Sequence, residues 1–145
     1  MLLNSSDAPY DRGPVSPERV VSSLRESAAP VRPPIRGGLP PRALRRVREF
    51  IEAHLEQNIS IQALAATAGL SMFHFARAFK QSEGMTPHDY LVQCRVRRAR
   101  DLLAATDLPL SEIALAAGFA DQSHCARRFR EHVGVTPSSY RWSLR

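Results

Sequence analysis

A duplicated segment in the second half of the chain restricts the fold more than any other feature. Five small or apolar positions recur 49 residues later, pairing Ile61, Leu64, Ala65, Ala68 and Gly69 with Leu110, Ile113, Ala114, Ala117 and Gly118. One residue is inserted after the glycine, and eight further pairs match at an offset of 50, from His74 and His124 to Tyr90 and Tyr140. Two copies with short turns are too few for a helical solenoid. A duplicated helical unit remains, which either is purely structural or carries a binding surface.

The spacing of apolar residues from Arg42 onward predicts helices alone, so the expected fold class is all-α. Leu44, Val47, Ile51 and Leu55 recur at helical spacing over 42–57. Ser60 and Ser71 are placed to begin two further helices, which end at Gly69 and Gly84. Thr86-Pro87-His88-Asp89 has the pattern of a capping box with proline at the first helical position, and it begins a long helix over 87–105. No segment alternates with period two, so no strands are predicted.

The prolines divide the chain into two parts. Eight of the eleven prolines lie in the first 41 residues, and proline interrupts regular structure. We therefore expect residues 1–40 to form a mostly disordered arm, with one short helix over 17–27, and residues 41–145 to fold. The arm has five arginines and four acidic residues, whereas the remainder has 15 basic and 10 acidic residues, so the folded part holds +5 of the +6 formal charge.

Composition removes several classes of function. A chain of 145 residues accommodates one domain with a tail. It contains no apolar run long enough to cross a membrane and no signal-like start, so we expect a cytoplasmic protein without a membrane partner. Its two cysteines, Cys94 and Cys125, are too few for a disulfide framework. Cysteines and histidines lack metal-ligand spacing, and we find no catalytic constellation, so we expect no enzyme, metal or cofactor.

Each copy of the repeat has the spacing of a helix-turn-helix. In the first copy, Ala65 allows the two helices to approach closely, Gly69 permits a turn with positive φ, and Phe75 and Phe79 anchor the second helix. Helical geometry then fixes which side chains of the second helix point outward. These are Met72, Phe73, Ala76, Arg77 and Lys80 in the first copy, and Gln122, Ser123, Ala126, Arg127 and Arg130 in the second.

The two units resemble the DNA-binding domain of the AraC/XylS transcription regulators. The matching stretches are ISIQALAATAGLSMFHFARAFKQSEGMTPHDYL (59–91) and LPLSEIALAAGFADQSHCARRFREHVGVTPSSY (108–140). The resemblance implies seven helices in two homeodomain-like helix-turn-helix subdomains joined by a long linker helix. It also implies that the two recognition helices enter adjacent major-groove segments on one DNA face. A helix over 87–105 would be ~28 Å long at ~1.5 Å per residue. That length is close to the ~34 Å between successive major-groove faces, so one monomer could span both.

Arg77 and Arg127 are the strongest candidates for DNA contact. Arginine bonds a guanine edge bidentately or holds a phosphate, although a solvated helix face with an ion pair is the alternative. Gln122 and Ser123 could read base edges. Met72, Phe73 and the paired Ala76 and Ala126 could contact thymine methyl groups, unless Phe73 packs against an unseen partner.

A second set of residues points to the phosphate backbone. Lys80, Arg130 and Arg141 are expected to contact phosphates. Thr86 and Thr136 either aim the first-turn amides of their helices at phosphates or simply cap those helices.

Four positions carry expectations about packing. Arg95 falls on the apolar side of helix 87–105 and is expected to pair with an acidic group such as Asp101 or Glu112. Cys125 should be a buried, inert thiol, smaller than the aromatic or leucine side chain common in the family, which loosens the second unit. Cys94 could be exposed. Pro109 replaces the family's serine cap and weakens a helix start.

The favoured hypothesis is a sequence-specific regulator that binds double-stranded promoter DNA as a monomer. The resemblance favours activation over repression, through contact with RNA polymerase. Two alternatives stay open. One is a regulator that responds to an effector or an oxidant through the arm or Cys94. The other is a protein-interaction adaptor that has lost base readout and uses the apolar outer face of Met72, Phe73 and Ala76.

Overall fold

The computed structural model describes residues 37–145, and this part of the chain forms seven helices and no strand. The helices are α1 Pro41–Ala53, α2 Ile61–Ala68, α3 Met72–Glu83, α4 Pro87–Ala105, α5 Leu110–Ala116, α6 Gln122–Val133 and α7 Pro137–Ser143. The all-α fold with a long central helix is confirmed, and the bounds predicted for the long helix match those of α4. The helix expected over 17–27 lies outside the described residues.

Short polar side chains begin most of these helices. The Oγ atoms of Ser60 and Ser71 accept hydrogen bonds from the third backbone N–H of α2 and α3, at 3.0 and 3.2 Å. Thr86 and Thr136 do the same for α4 and α7, both at 3.1 Å. Pro109 precedes α5 without a side-chain cap, as its sequence position led us to expect. These caps satisfy backbone donors that have no partner inside the helix.

The first helix is shorter than its apolar spacing predicts. It ends at Ala53 rather than near residue 57, and the chain turns through His54 to Gln57. Leu55 is nevertheless buried, because the turn folds its side chain back onto the core. The backbone carbonyls of Leu55 and Gln57 accept hydrogen bonds from Arg95, 40 and 38 residues away. A partner at that separation leaves no periodic signal in the sequence.

The folded part also begins earlier than the proline distribution predicts. Leu39, which we assigned to the arm, is 2% exposed and packs into the first core. Its backbone N–H donates to the buried Oγ of Ser82 near the end of α3, at 2.8 Å. One apolar side chain among prolines was too weak a pattern to reveal this contact.

Two hydrophobic cores flank the long helix. The first contains Phe75 and Phe79 with α1, α2 and α3, and the second contains Ile113 and Phe129 with α5 and α6. Helix α4 contributes to both. It places Leu91 and Cys94 in the first core, and Val92, Val96, Ala99 and Leu103 in the second. The repeat therefore corresponds to two subdomains that share one helix.

Candidate nucleic-acid interface

The third helix separates an apolar face from an outer face in the predicted register. Phe75, Ala78 and Phe79 are buried, because they fill the first core. The outer positions remain in contact with solvent: Met72, Phe73, Arg77 and Lys80 are exposed, and Ala76 is half-buried. Phe73 is 85% exposed, which is unusual for a large aromatic side chain and leaves it available to a partner.

The sixth helix repeats this arrangement in the second subdomain. Cys125 and Phe129 are buried beneath it. Its outer positions are Gln122, Ser123, Arg127 and Arg130, all exposed, with Ala126 half-buried. The positions that the repeat pairs in sequence thus occupy equivalent places in the two subdomains.

The two outer arginines have no acidic partner within the part of the chain described here. The ion pairs found over residues 37–145 involve other arginines, namely Arg48 with Glu83, Arg98 with Glu56, Arg128 with Glu131 and Arg145 with Asp107. Arg77 and Arg127 take part in none of these. Within residues 37–145 the ion pair of the alternative raised above is therefore not formed, whereas a solvated helix face fits the exposure of both side chains.

An aromatic contact fixes each of these helices against the helix that follows it. The rings of Phe79 and Tyr90 meet edge to face with centroids 5.4 Å apart, and those of Phe129 and Tyr140 do so at 5.7 Å. Edge-to-face packing is a favoured arrangement of aromatic rings. Both pairs occur at the repeat offset, so the same anchor orients α3 and α6.

Asp121 caps the start of α6, a role that was not predicted from the sequence. Its carboxylate accepts the backbone N–H of His124 at 2.8 Å and caps α6. Ser71 holds the equivalent position before α3. Serine and aspartate are both good caps, so comparing the two copies at an offset of 50 would have revealed the pair.

Three candidate phosphate contacts lie at helix ends. Thr86 and Thr136 precede α4 and α7, and Arg141 lies in the last turn of α7. Both threonine hydroxyls are engaged as caps. The Arg141 guanidinium is directed inward and donates to the backbone oxygens of Leu103, Thr106 and Leu108, at 3.4, 3.0 and 2.7 Å. These bonds hold the chain that connects α4 to α5 against α7. We therefore leave Arg141 out of the set of residues proposed to contact DNA.

Both cysteines are buried, so the expectation that Cys94 could be exposed was wrong. Cys94 lies on the part of α4 that faces the first core. Burial raises the pKa of each thiol to about 11, which leaves almost no reactive thiolate at neutral pH. A cavity of about 110 Å³ lies beside Cys125 and is also lined by the exposed Gln122. The looser packing expected of the second unit stays a prediction.

Arg95 does not pair with Asp101 or Glu112 as we expected. Its guanidinium instead donates to the carbonyl oxygens of Leu55 and Gln57, at 3.4 and 2.9 Å. The expected partner was a carboxylate, whereas backbone carbonyls accept the hydrogen bonds of this arginine.

Within residues 37–145, no group of three or more histidine, cysteine or acidic residues could hold a metal ion. Helices of the length and apolarity needed to cross a bilayer are also missing from this range.

The model of the Helix-turn-helix domain family matches residues 64–143, more than half of the chain. The chain is 38% identical over 99 residues to the transcriptional activator NphR of a Rhodococcus species, and 35% identical over 99 residues to LumQ of Photobacterium leiognathi. Each match covers 68% of this chain, but only 29% of NphR and 40% of LumQ. The chain thus spans less than half the length of these relatives.

Solved structures of DNA-binding domains from transcription regulators are also similar to this chain. The DNA-binding domain of AdpA, solved with a target DNA, superposes with a TM-score of 0.68 at 31% identity, covering 71% of this chain and 93% of that one. An AraC-type regulator from Chromobacterium violaceum gives a TM-score of 0.67 at 32% identity, covering 71% and 92%. This fold is that of DNA-binding transcription regulators, not of enzymes. The chain belongs to the AraC-type helix-turn-helix family.

Proposed function

We propose that the chain binds double-stranded promoter DNA in a sequence-specific manner, with α3 and α6 as recognition helices in adjacent major-groove segments. The observation that carries this proposal is that Arg77 and Arg127 occupy equivalent, solvent-facing positions and take part in none of the ion pairs found within residues 37–145. Arginine at such a position reads guanine bidentately. The remaining outer positions supply base contacts from Gln122 and Ser123, methyl contacts from Met72, Phe73, Ala76 and Ala126, and phosphate contacts from Lys80 and Arg130.

Selection of bound sequences from a random DNA pool tests this proposal. We expect two unlike half-motifs, with centres about ten base pairs apart, because each subdomain reads one major-groove segment. One short motif would mean that only one helix reads bases. If the recovered sequences share no motif, the proposal of sequence-specific recognition is contradicted.

The proposed mode of action is transcription activation by a monomer located with the nucleoid in the cytoplasm. NphR, at 38% identity, is named a transcriptional activator, which supports this direction over repression. An activator bound beside a promoter acts by contacting RNA polymerase. In vitro transcription with purified polymerase should give more transcript from a promoter that carries the selected site, and unchanged transcript from one that lacks it.

The exposed Phe73 also fits an adaptor that docks on another protein. Phe73→Ala separates the two functions. It weakens DNA binding if the ring contacts a thymine methyl group, and leaves DNA affinity unchanged if the ring serves a protein partner.

A further inference from the structure

A direct contact joins the two subdomains, in addition to the helix they share. The turn that follows α1 belongs to the first subdomain, and the turn between α5 and α6 belongs to the second. Arg95 of α4 donates to Leu55 and Gln57 in the first turn. Arg98, one turn further along α4, donates through one nitrogen to the Glu56 carboxylate and to the carbonyl oxygen of Ala116 at the end of α5, both at 3.4 Å.

Gly118 completes this junction, which we define as Leu55, Gln57, Arg95, Arg98 and Gly118. A Cβ atom on Gly118 would lie 2.1 Å from the backbone oxygen of Leu55 and 2.7 Å from Nε of Arg95. Real Cβ atoms do not approach a backbone oxygen so closely, so a side chain at this position requires the turn after α1, or the turn between α5 and α6, to shift. The junction thus requires glycine for contact as well as for its φ of 96°.

The first subdomain contains a glycine at the position equivalent to Gly118, so the two can be compared. Gly69 is the equivalent glycine in the first subdomain and also has a positive φ, of 73°. A Cβ atom on Gly69 would meet nothing within 4 Å. Both glycines therefore permit a turn, but only Gly118 is pressed against the other subdomain.

We propose that this junction sets the distance and angle between α3 and α6, and thereby the number of base pairs that the protein accepts between its two half-sites. The inference rests on the proposed function. Each additional base pair rotates one half-site by about 34° relative to the other. A rigid junction cannot follow that rotation, whereas subdomains held by α4 alone can twist to meet it. Arg95, Arg98 and Gly118 act as positioning residues, since they lie away from the outer faces of both helices.

The first test needs no DNA. Spin labels are attached to cysteines introduced at Gln62 on α2 and Glu112 on α5, both exposed, and double electron–electron resonance gives the distribution of distances between them. We expect one narrow peak for the parent chain and for Gly69→Ala. Gly118→Ala and Arg95→Ala should shift or broaden it. A narrow, unshifted peak in both junction variants overturns the inference. Circular dichroism establishes that each variant is folded, and Arg95→Ala adds no side-chain atoms that could clash.

The second test measures binding to the selected site with zero, one or two base pairs inserted between the half-motifs. The parent chain should lose at least about tenfold in affinity per insertion, equivalent to about 1.4 kcal/mol. Gly118→Ala and Arg95→Ala should reduce this penalty to about threefold or less, whereas Gly69→Ala should keep it. Junction variants that retain the full penalty contradict the inference. Failure of the parent chain to bind the selected site contradicts the proposed function instead.

Discussion

Four arginines of this chain form two pairs that differ in the surroundings of the guanidinium group. Arg77 and Arg127 face solvent on equivalent helix surfaces, whereas Arg95 and Arg141 face backbone carbonyls. The outward pair was predictable, because helical periodicity fixes the direction of a side chain. The inward direction of Arg95 was also predicted, but the partners of Arg95 and Arg141 were not, since backbone carbonyls occur at every residue and give no sequence signal.

Arg127→Ala should weaken binding to the selected site by ~1–3 kcal/mol, because a bidentate contact with one base is lost. Band-shift titration of the selected site and of an unrelated duplex measures the change. The unrelated duplex is the control, since its affinity should fall much less. Equal losses on both duplexes would show that Arg127 contacts phosphate rather than a base.

Lys80→Ala should weaken all DNA to a similar degree, because a phosphate contact carries no sequence information. The slope of log affinity against log salt should become shallower by roughly one unit. Titrations at several salt concentrations on the same two duplexes provide the measurement. A loss confined to the selected site would assign Lys80 to base readout.

Arg141→Ala should lower the free energy of unfolding by about 2 kcal/mol, since hydrogen bonds from a charged group to three half-buried carbonyls are removed. Urea unfolding followed by circular dichroism measures this change. Arg145→Ala is the matched control, because its ion pair with Asp107 is exposed and such pairs contribute roughly 0–1 kcal/mol. Equal stability of the two variants would mean that the Arg141 bonds contribute nothing.

Among the helices, the sequence predicted best those whose ends are encoded locally. Helix α4 begins at Pro87 after the Thr86 cap, and its bounds agree with the prediction. Helix α1 was predicted too long, because Leu55 continues the apolar spacing although the helix has already ended. What holds that turn is Arg95, which arrives from a distant helix. Local chemistry thus sets helix starts here, and tertiary contacts decide where α1 stops.

The Asp121 cap should matter for α6 in particular. Asp121→Ala removes the acceptor for the His124 N–H, and we expect a loss of about 1 kcal/mol in unfolding free energy. Asp121→Asn retains a capping oxygen and should lose only a few tenths of a kcal/mol. Urea unfolding compares both with Ser71→Ala, the equivalent change at α3. If Asn proves as costly as Ala, the aspartate acts through its charge at the helix N-terminus rather than through the cap.

At the level of the whole molecule, the two cores depend on the same turns of α4. Leu91 and Cys94 enter the first core, and Val92 and Val96 enter the second, so the two sets alternate along one stretch of helix. That stretch cannot unwind for one core and stay intact for the other. The Gly118 contact adds a second connection. We therefore expect residues 37–145 to unfold as one cooperative unit, although the repeat suggests two.

The two cysteines allow this cooperativity to be measured, because Cys94 lies in the first core and Cys125 in the second. Folded thiols with a pKa of about 11 are protonated and buried, so each reacts with iodoacetamide only when its core opens. Mass spectrometry of the peptides that contain Cys94 and Cys125 gives the labelling rate of each thiol in the folded protein. After each rate is divided by the rate of the same thiol in urea, the two values should agree within about threefold. Labelling of Cys125 about tenfold or more ahead of Cys94, a difference of about 1.4 kcal/mol in opening free energy, would show that the second subdomain opens alone. In that case α4 would not couple the folding of the two cores, and DNA would be bound by two subdomains that fold independently.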